Sequence, residues 1–328
     1  MPLNSVKNKN VLSKIIKGHL KLKIYLKLVN HNKALQSRLN ISNKSYHDYC
    51  RIIFELIPIK PIQNDNKIYF INFRGDMSFL HIYINDNEEE YDKTYLTKND
   101  NIDKIRVEID FEVKYIFELF KDCTCLKEIK LVKYIRKDIT DLSNLFKGCS
   151  MLTNLDINNL NTNNVTNISS MFSGCSSLRK INITNFNTKN VTKMSLMFNS
   201  CIKLEEISGL NNFNTEKVTN MEYMFWGCKN LKRIDLSTFN TKNVRDMSFM
   251  FYGCILITEL NMTGFNTNQV YDMSGMFSDC ERLYNLDGSK LIINNNTNVK
   301  WMFSRCPQSI KDKMKIQIQN LSEDAFYD

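Results

Sequence analysis

The chain has 328 residues, 43% of them hydrophobic, and 44 Lys and Arg against 35 Asp and Glu give it a net charge of +9. That apolar share is enough for a packed core and excludes wholesale disorder. The charge is uneven: residues 1–61 carry 12 basic side chains against Asp48 and Glu55, a balance of +10, which leaves −1 for everything after them. A near-neutral remainder disfavours a nucleic-acid groove, because phosphate binding needs Lys and Arg aligned along the contact surface. No run approaches the ~18 apolar residues of a membrane span. Lys14, Lys17, Lys21, Lys23 and Lys27 interrupt every candidate signal peptide in residues 1–30, so the expected compartment is the cytoplasm.

Residues 1–61 form the first segment, basic and expected to be helical. Ile15, Ile16, Leu20, Ile24, Leu28, Leu35 and Leu39 fall largely at three- and four-residue spacings with lysines between them, the pattern of an amphipathic helix. A second helix is expected from Tyr46 to Ile57, ended by Pro58 and Pro61. The plain reading is a helical cap with solvated lysines. Two others are a weak contact with an anionic membrane surface and a short adaptor module that docks a partner. The run Val11–Leu39 resembles an F-box in its aliphatic spacing, without that motif's Pro and Trp landmarks.

Residues 62–118 change to a period of two. Ile68–Phe73 and Phe79–Ile84 are β-rich runs around Gly75-Asp76, which suggests a hairpin. Ile105–Phe111 alternates as a strand. This β-rich segment is expected to cap the array that follows, since the end rung of a stacked protein otherwise exposes an apolar edge.

From residue 119 to 307 one pattern repeats. Phe-x-x-Cys recurs eight times, from Phe120/Cys123 to Phe303/Cys306, with cysteines 26 residues apart except for one gap of 27 between Cys201 and Cys228. So fixed a period marks a stacked repeat protein. Counting from each Cys, aliphatic residues stand three, six and eight positions on, as in Leu178, Ile181 and Ile183. The last two share one face of a short strand. A polar turn follows, as in Phe186-Asn187-Thr188. Val165, Ile168, Met171, Phe172 and Cys175 then read as a short helix, with Thr166, Thr192 and Thr219 at its N-cap and Gly148, Gly174, Gly227 and Gly253 as its stop. The extra residue of the longer gap falls near Gly209 and realigns Leu210 with the eighth-position column. The expected fold is therefore an α/β solenoid of about seven to eight strand–turn–helix repeats. Residues 308–328 form a C-terminal cap and tail, the cap expected over Lys311–Gln319.

The fragment Ile183–Phe198, with its Phe-Asn-Thr-x-x-Val-Thr-x-Met-x-x-Met-Phe run, resembles the BspA-type leucine-rich repeat, the mycoplasma lipoprotein repeat of unknown function. The resemblance covers about residues 117–307. It implies a curved leucine-rich-repeat solenoid with a recognition role, often surface adhesion, and no catalytic residues.

Composition offers little for catalysis. The eight repeat cysteines are equally spaced singles without paired C-x-x-C sets, which points away from zinc and toward small apolar core residues. All four histidines lie outside the repeats, and no nucleophile–base set, phosphate loop or H-E-x-x-H is present. No enzyme activity, cofactor or metal is expected. Two surface features are candidate binding sites for a protein partner. The seventh position after Cys forms a polar column that includes Asp156, Asn182, Asp235, Asn261 and Asp287. Tyr223 and Trp226 in one repeat and Phe249 and Tyr252 in the next form an aromatic patch, at positions held elsewhere by Ser170/Ser173 and Leu196/Asn199. The competing reading for the aromatics is packing between neighbouring repeats. The expected function is a non-enzymatic protein-interaction scaffold, with a BspA-type cell-surface adhesin or an adaptor docked through the N-terminal helices as alternatives.

Overall fold

The computed structural model describes residues 51–60, 66–110 and 113–327. The helix expected over residues 11–39, and the start of the second at Tyr46, lie outside this range. The end of the second is not helical. Ile52–Pro58 is a strand, β1, with Ile52, Phe54, Leu56 and Pro58 turned inward. An apolar run of this length reads equally as helix or strand, and pairing on both sides decides it. β1 runs antiparallel to β5 (Ile105–Ile109) on one edge and to β6 (Leu126–Lys133) on the other. β1 therefore belongs with the cap, although it lies before residue 62.

The expected hairpin is also replaced. β2 (Ile68–Tyr69) pairs with β4 (Tyr95–Leu96), whereas β3 (Leu80–Ile84) pairs with β5. Gly75-Asp76 leads into a 3-10 turn, Met77–Phe79, whose N-terminus Asp76 caps by accepting from Ser78 N at 3.0 Å. β3, β5, β1, β6 and β7 (Asn154–Asp156) form one sheet, antiparallel through the cap and parallel from β6 onward. The cap thus covers the first solenoid strand with a paired neighbour, which removes an open edge.

The strands of the array are β6, β7, β8 (Lys180–Asn182), β9 (Glu206–Ser208), β10 (Arg233–Asp235), β11 (Glu259–Asn261) and β12 (Asn285–Leu286). The pairs among them are parallel and in register by one repeat, as in Ile129↔Leu155, Ile181↔Ile207 and Ile234↔Leu260↔Leu286. A second line of parallel bridges joins Asp141, Asn167, Lys193, Asn220, Asp246, Asp272 and Asn298 in succession.

The expected helical half of each repeat is a stack of tight turns instead. Backbone donors alternate between two destinations. Met171, Ser173 and Cys175 N–H groups close turns on Ile168, Ser170 and Phe172, while Ser170, Phe172 and Gly174 donate to Ser195, Met197 and Asn199 of the next rung at 2.7–3.0 Å. An α-helix would send every donor four residues back within its own segment. This arrangement needs positive φ at two positions per rung, +55° at Ser170 and +74° at Gly174, as the third residue of a type II turn requires. Each of these turns spans three residues from acceptor to donor, so Ile168, Met171, Phe172 and Cys175 fall at the spacing a short helix would give. With no helix to cap, Thr166 and Thr192 Oγ1 instead donate to the Thr140 and Thr166 carbonyls one rung back. Among the described residues the α-helix is α1, Gln308–Gln317.

The core is columnar. Phe120, Phe146, Phe172, Phe198, Phe225, Phe251, Phe277 and Phe303 stack face to face with centroids 5.3–5.8 Å apart. Phe54 closes this stack edge-on at 4.9 Å and Phe326 closes the other end at 5.8 Å. A buried threonine column bonds successive rungs: Thr188 Oγ1 donates to Asn214 O at 3.0 Å and accepts from Asn214 N at 2.7 Å. At the C-terminal end, Trp301 and Phe303 N–H donate to Asp324 and Ala325 carbonyls, so the tail supplies a last rung. α1 covers the β12 edge, where Lys313 Nζ donates to Leu286 O and Gln317 Oε1 accepts from Gly288 N. The inserted Gly209 has φ +95° and lies so close to Thr184 and Ile183 that a Cβ would stand 2.4 Å from backbone atoms. Leu210, one residue on, is buried.

Candidate functional site

The cysteine column is structural. Each thiol from Cys149 to Cys306 is buried, and each Sγ donates to the carbonyl of the Phe one rung back at 3.0–3.3 Å. Burial pushes the Cys201 and Cys254 thiols up to about 12, so these side chains stay protonated and act as weak donors rather than nucleophiles.

The polar column is largely committed to its own backbone. The Oδ1 atoms of Asp156, Asn182, Asp235, Asn261 and Asp287 each accept from the N–H two residues on, at 2.9–3.3 Å. These are Asx turns that end the strands. Asn182 Nδ2 also donates to Asn158 Oδ1 at 3.2 Å. The recurrence of Asp and Asn here follows from turn formation.

The aromatic residues do come together. Tyr223 stacks on Phe249 with centroids 5.1 Å apart, Trp226 stacks on Tyr252 at 5.8 Å, and Phe249 meets Tyr252 edge-on at 5.9 Å. All four are half-buried. Trp301, in the same column as Tyr223 and Phe249, is 50% exposed. The backbone beneath this column is left-handed: Tyr223, Phe249 and Trp301 have φ of +53°, +54° and +57°, and Ser170 and Leu196 have +55° and +56° at the same position. Left-handed backbone costs a residue with a Cβ roughly 1–2 kcal/mol and suits Gly or Asn. Asn144 and Gly275 hold the same position in two other rungs, so the low-cost choice is available to this repeat.

Sequence spacing did not single out a second group beside this patch. Asp279 and Arg305 stand where Gly148, Gly174, Gly227 and Gly253 stand in other rungs, again with positive φ, +59° and +51°. Arg305 Nη1 lies 3.2 Å from Asp279 Oδ1. The Tyr252 hydroxyl is bonded to Asp279, which together with burial raises its pKa. The readable signal was a charged residue replacing the repeat's glycine in two consecutive copies.

Parallel strands in register by one repeat, stacked turns and a core of repeated columns define a leucine-rich-repeat solenoid. The chain belongs to the family described as "Mycoplasma protein of unknown function, DUF285", which matches residues 114–209 and 203–316, more than half of its length and the same span as the BspA-type repeats. No curated protein matches it. Among solved structures, a leucine-rich repeat protein from Bacteroides ovatus is similar at 20% identity and a TM-score of 0.33, over 62% of this chain and 48% of its own. The chain therefore spans about half the length of that protein. No helix among the described residues is long and apolar enough to cross a membrane.

Proposed function

We propose that this chain is a non-enzymatic protein-interaction scaffold that engages its partner through the aromatic patch on the turn-stack face. One observation carries this reading: Tyr223, Phe249 and Trp301 are bulky aromatics on backbone that favours Gly or Asn. The same left-handed backbone recurs at this position in other rungs, Ser170 and Leu196 included, so what sets these rungs apart is the bulky aromatic side chain, and clustered Tyr and Trp are favoured interface anchors. The rungs supply a rigid frame on which these positions vary while the columns behind them do not. The test is affinity capture with the intact chain, compared with Trp226→Ala/Tyr252→Ala. The variant should fold as the parent does and lose the captured protein. Equal capture by both would refute the patch as the interface. A chain beginning at Arg51 separates the N-terminal segment from the solenoid. A cut after residue 61 would instead remove β1 and open the β6 edge.

A further inference from the structure

The aromatic columns have a gap. On successive rungs one column reads Tyr223, Phe249, Gly275, Trp301 and its neighbour reads Trp226, Tyr252, Ser278, Ser304. The Phe249 ring lies over Gly275, and beside it the small side chains of Ser278 and Ser304 leave a cleft of about 220 Å³. Phe249 and Tyr252 form one wall, Trp301 the other, and the buried Ser278 and Ser304 line it with hydroxyls. A Cβ at Gly275 would stand 2.5 Å from the Phe249 ring, so glycine there is what allows the ring its place. The Asp279–Arg305 pair borders the same cleft, its carboxylate 14% exposed and also bonded to the Tyr252 hydroxyl.

We propose that this cleft binds a single sugar ring. Its volume falls below the roughly 300 Å³ at which drug-sized pockets begin, so one ring fits and a nucleotide cofactor does not. The aromatic walls offer flat apolar faces to the C–H groups of a pyranose. The carboxylate, the guanidinium and the two serine hydroxyls offer acceptors and donors to its hydroxyls. An aromatic side chain from a partner would fit the walls but would add no hydrogen bonds to the carboxylate, the guanidinium and the serine hydroxyls that border them. Four residues of the cleft, Phe249, Asp279, Trp301 and Arg305, hold positive φ, as their equivalents do in other rungs, so the backbone that frames the cleft is that of the regular repeat. This inference does not rest on the protein-interaction reading and can fail without it.

The chain has two tryptophans, so Trp226→Phe leaves Trp301 as the sole indole reporter in the full-length protein. Fluorescence titration with a panel of methyl glycosides of neutral hexoses and N-acetylhexosamines should give a saturable change with at least one, at a Kd on the order of 1 mM, the range for so small a ligand. Asp279→Asn and Arg305→Asn should each weaken it about tenfold, as loss of a charged hydrogen bond does, with unchanged melting. Asn suits the positive φ at both positions. Saturation-transfer NMR on the wild-type chain gives the same reading should Trp226→Phe not fold. No saturable response to any glycoside would overturn the proposal. So would binding that both Asn variants leave intact, or a saturable response to N-acetyltryptophanamide with none to the glycosides.

Discussion

Replacing Cys201 with Ala removes one thiol from the middle of the ladder. Its Sγ is fully buried and donates to Phe172 O at 3.1 Å. That carbonyl also accepts from Cys175 N at 3.1 Å, so it binds one donor from its own rung and one from the next. Alanine leaves the first bond and deletes the second. The lost S–H···O contact is worth about 0.5–1 kcal/mol. The sulfur-sized void adds about 1–2 kcal/mol, by analogy with deleting a buried methylene. Neighbouring rungs depend on each other, so the loss of about 1.5–3 kcal/mol should appear in the whole array's urea transition, as a lower midpoint with an unchanged slope. A loss below about 0.5 kcal/mol would show that the thiol column is incidental and refute the reason given for its recurrence.

Other outcomes follow from the same geometry. Cys201 and Cys254 are held near 12 in the fold against 9.0 as the ordinary value. Their stabilising contribution is therefore complete below about pH 9 and is lost as pH rises toward 12, at about 1.4 kcal/mol per pH unit for each thiol. Urea midpoints measured at pH 8, 9 and 10 should fall across the last interval, and a flat profile would contradict the buried-thiol account. Gly209→Ala combines a φ of +95° with a Cβ 2.4 Å from Thr184 backbone and should cost more than 3 kcal/mol (roughly the top of the ordinary range); a melting temperature within error of the parent would show that the backbone relaxes there. Truncation after Asn320 removes the rung formed by Asp324, Ala325 and Phe326, frees the Trp301 and Phe303 N–H groups and bares the Phe303 ring. It should lower the urea midpoint and raise self-association on size-exclusion chromatography.

The repeat register, the inward columns and the alignment of Leu210 after an inserted residue were legible because a period of 26 fixes which side chains share a column. The secondary structure within the period was less legible. Ile168, Met171, Phe172 and Cys175 fit a helix, yet their backbone sends alternate donors to the next rung, and spacing within a single repeat carries no signal for bonds between repeats. Ile52–Ile57 failed for a related reason: its strand exists because β5 and β6 flank it from far along the chain. The aromatic patch could be assembled from template positions. The strain beneath it could not, because residues such as Tyr223 and Phe249 do not announce a left-handed backbone. The cleft was visible in principle as the change from Trp226 and Tyr252 to Ser278 and Ser304 along one column.

The most direct test of the central claim is the equilibrium stability of Tyr223→Asn/Phe249→Asn. If these aromatics serve binding, the variant relieves two left-handed aromatic residues, roughly 1–2 kcal/mol each. It gives up exposed-face stacking of roughly 0.5–1.5 kcal/mol per pair, along with some buried area. The account predicts a urea stability within about 1 kcal/mol of the parent. A loss of about 3–5 kcal/mol, the size expected for a core phenylalanine such as Phe251, would contradict it and make the patch part of the packing.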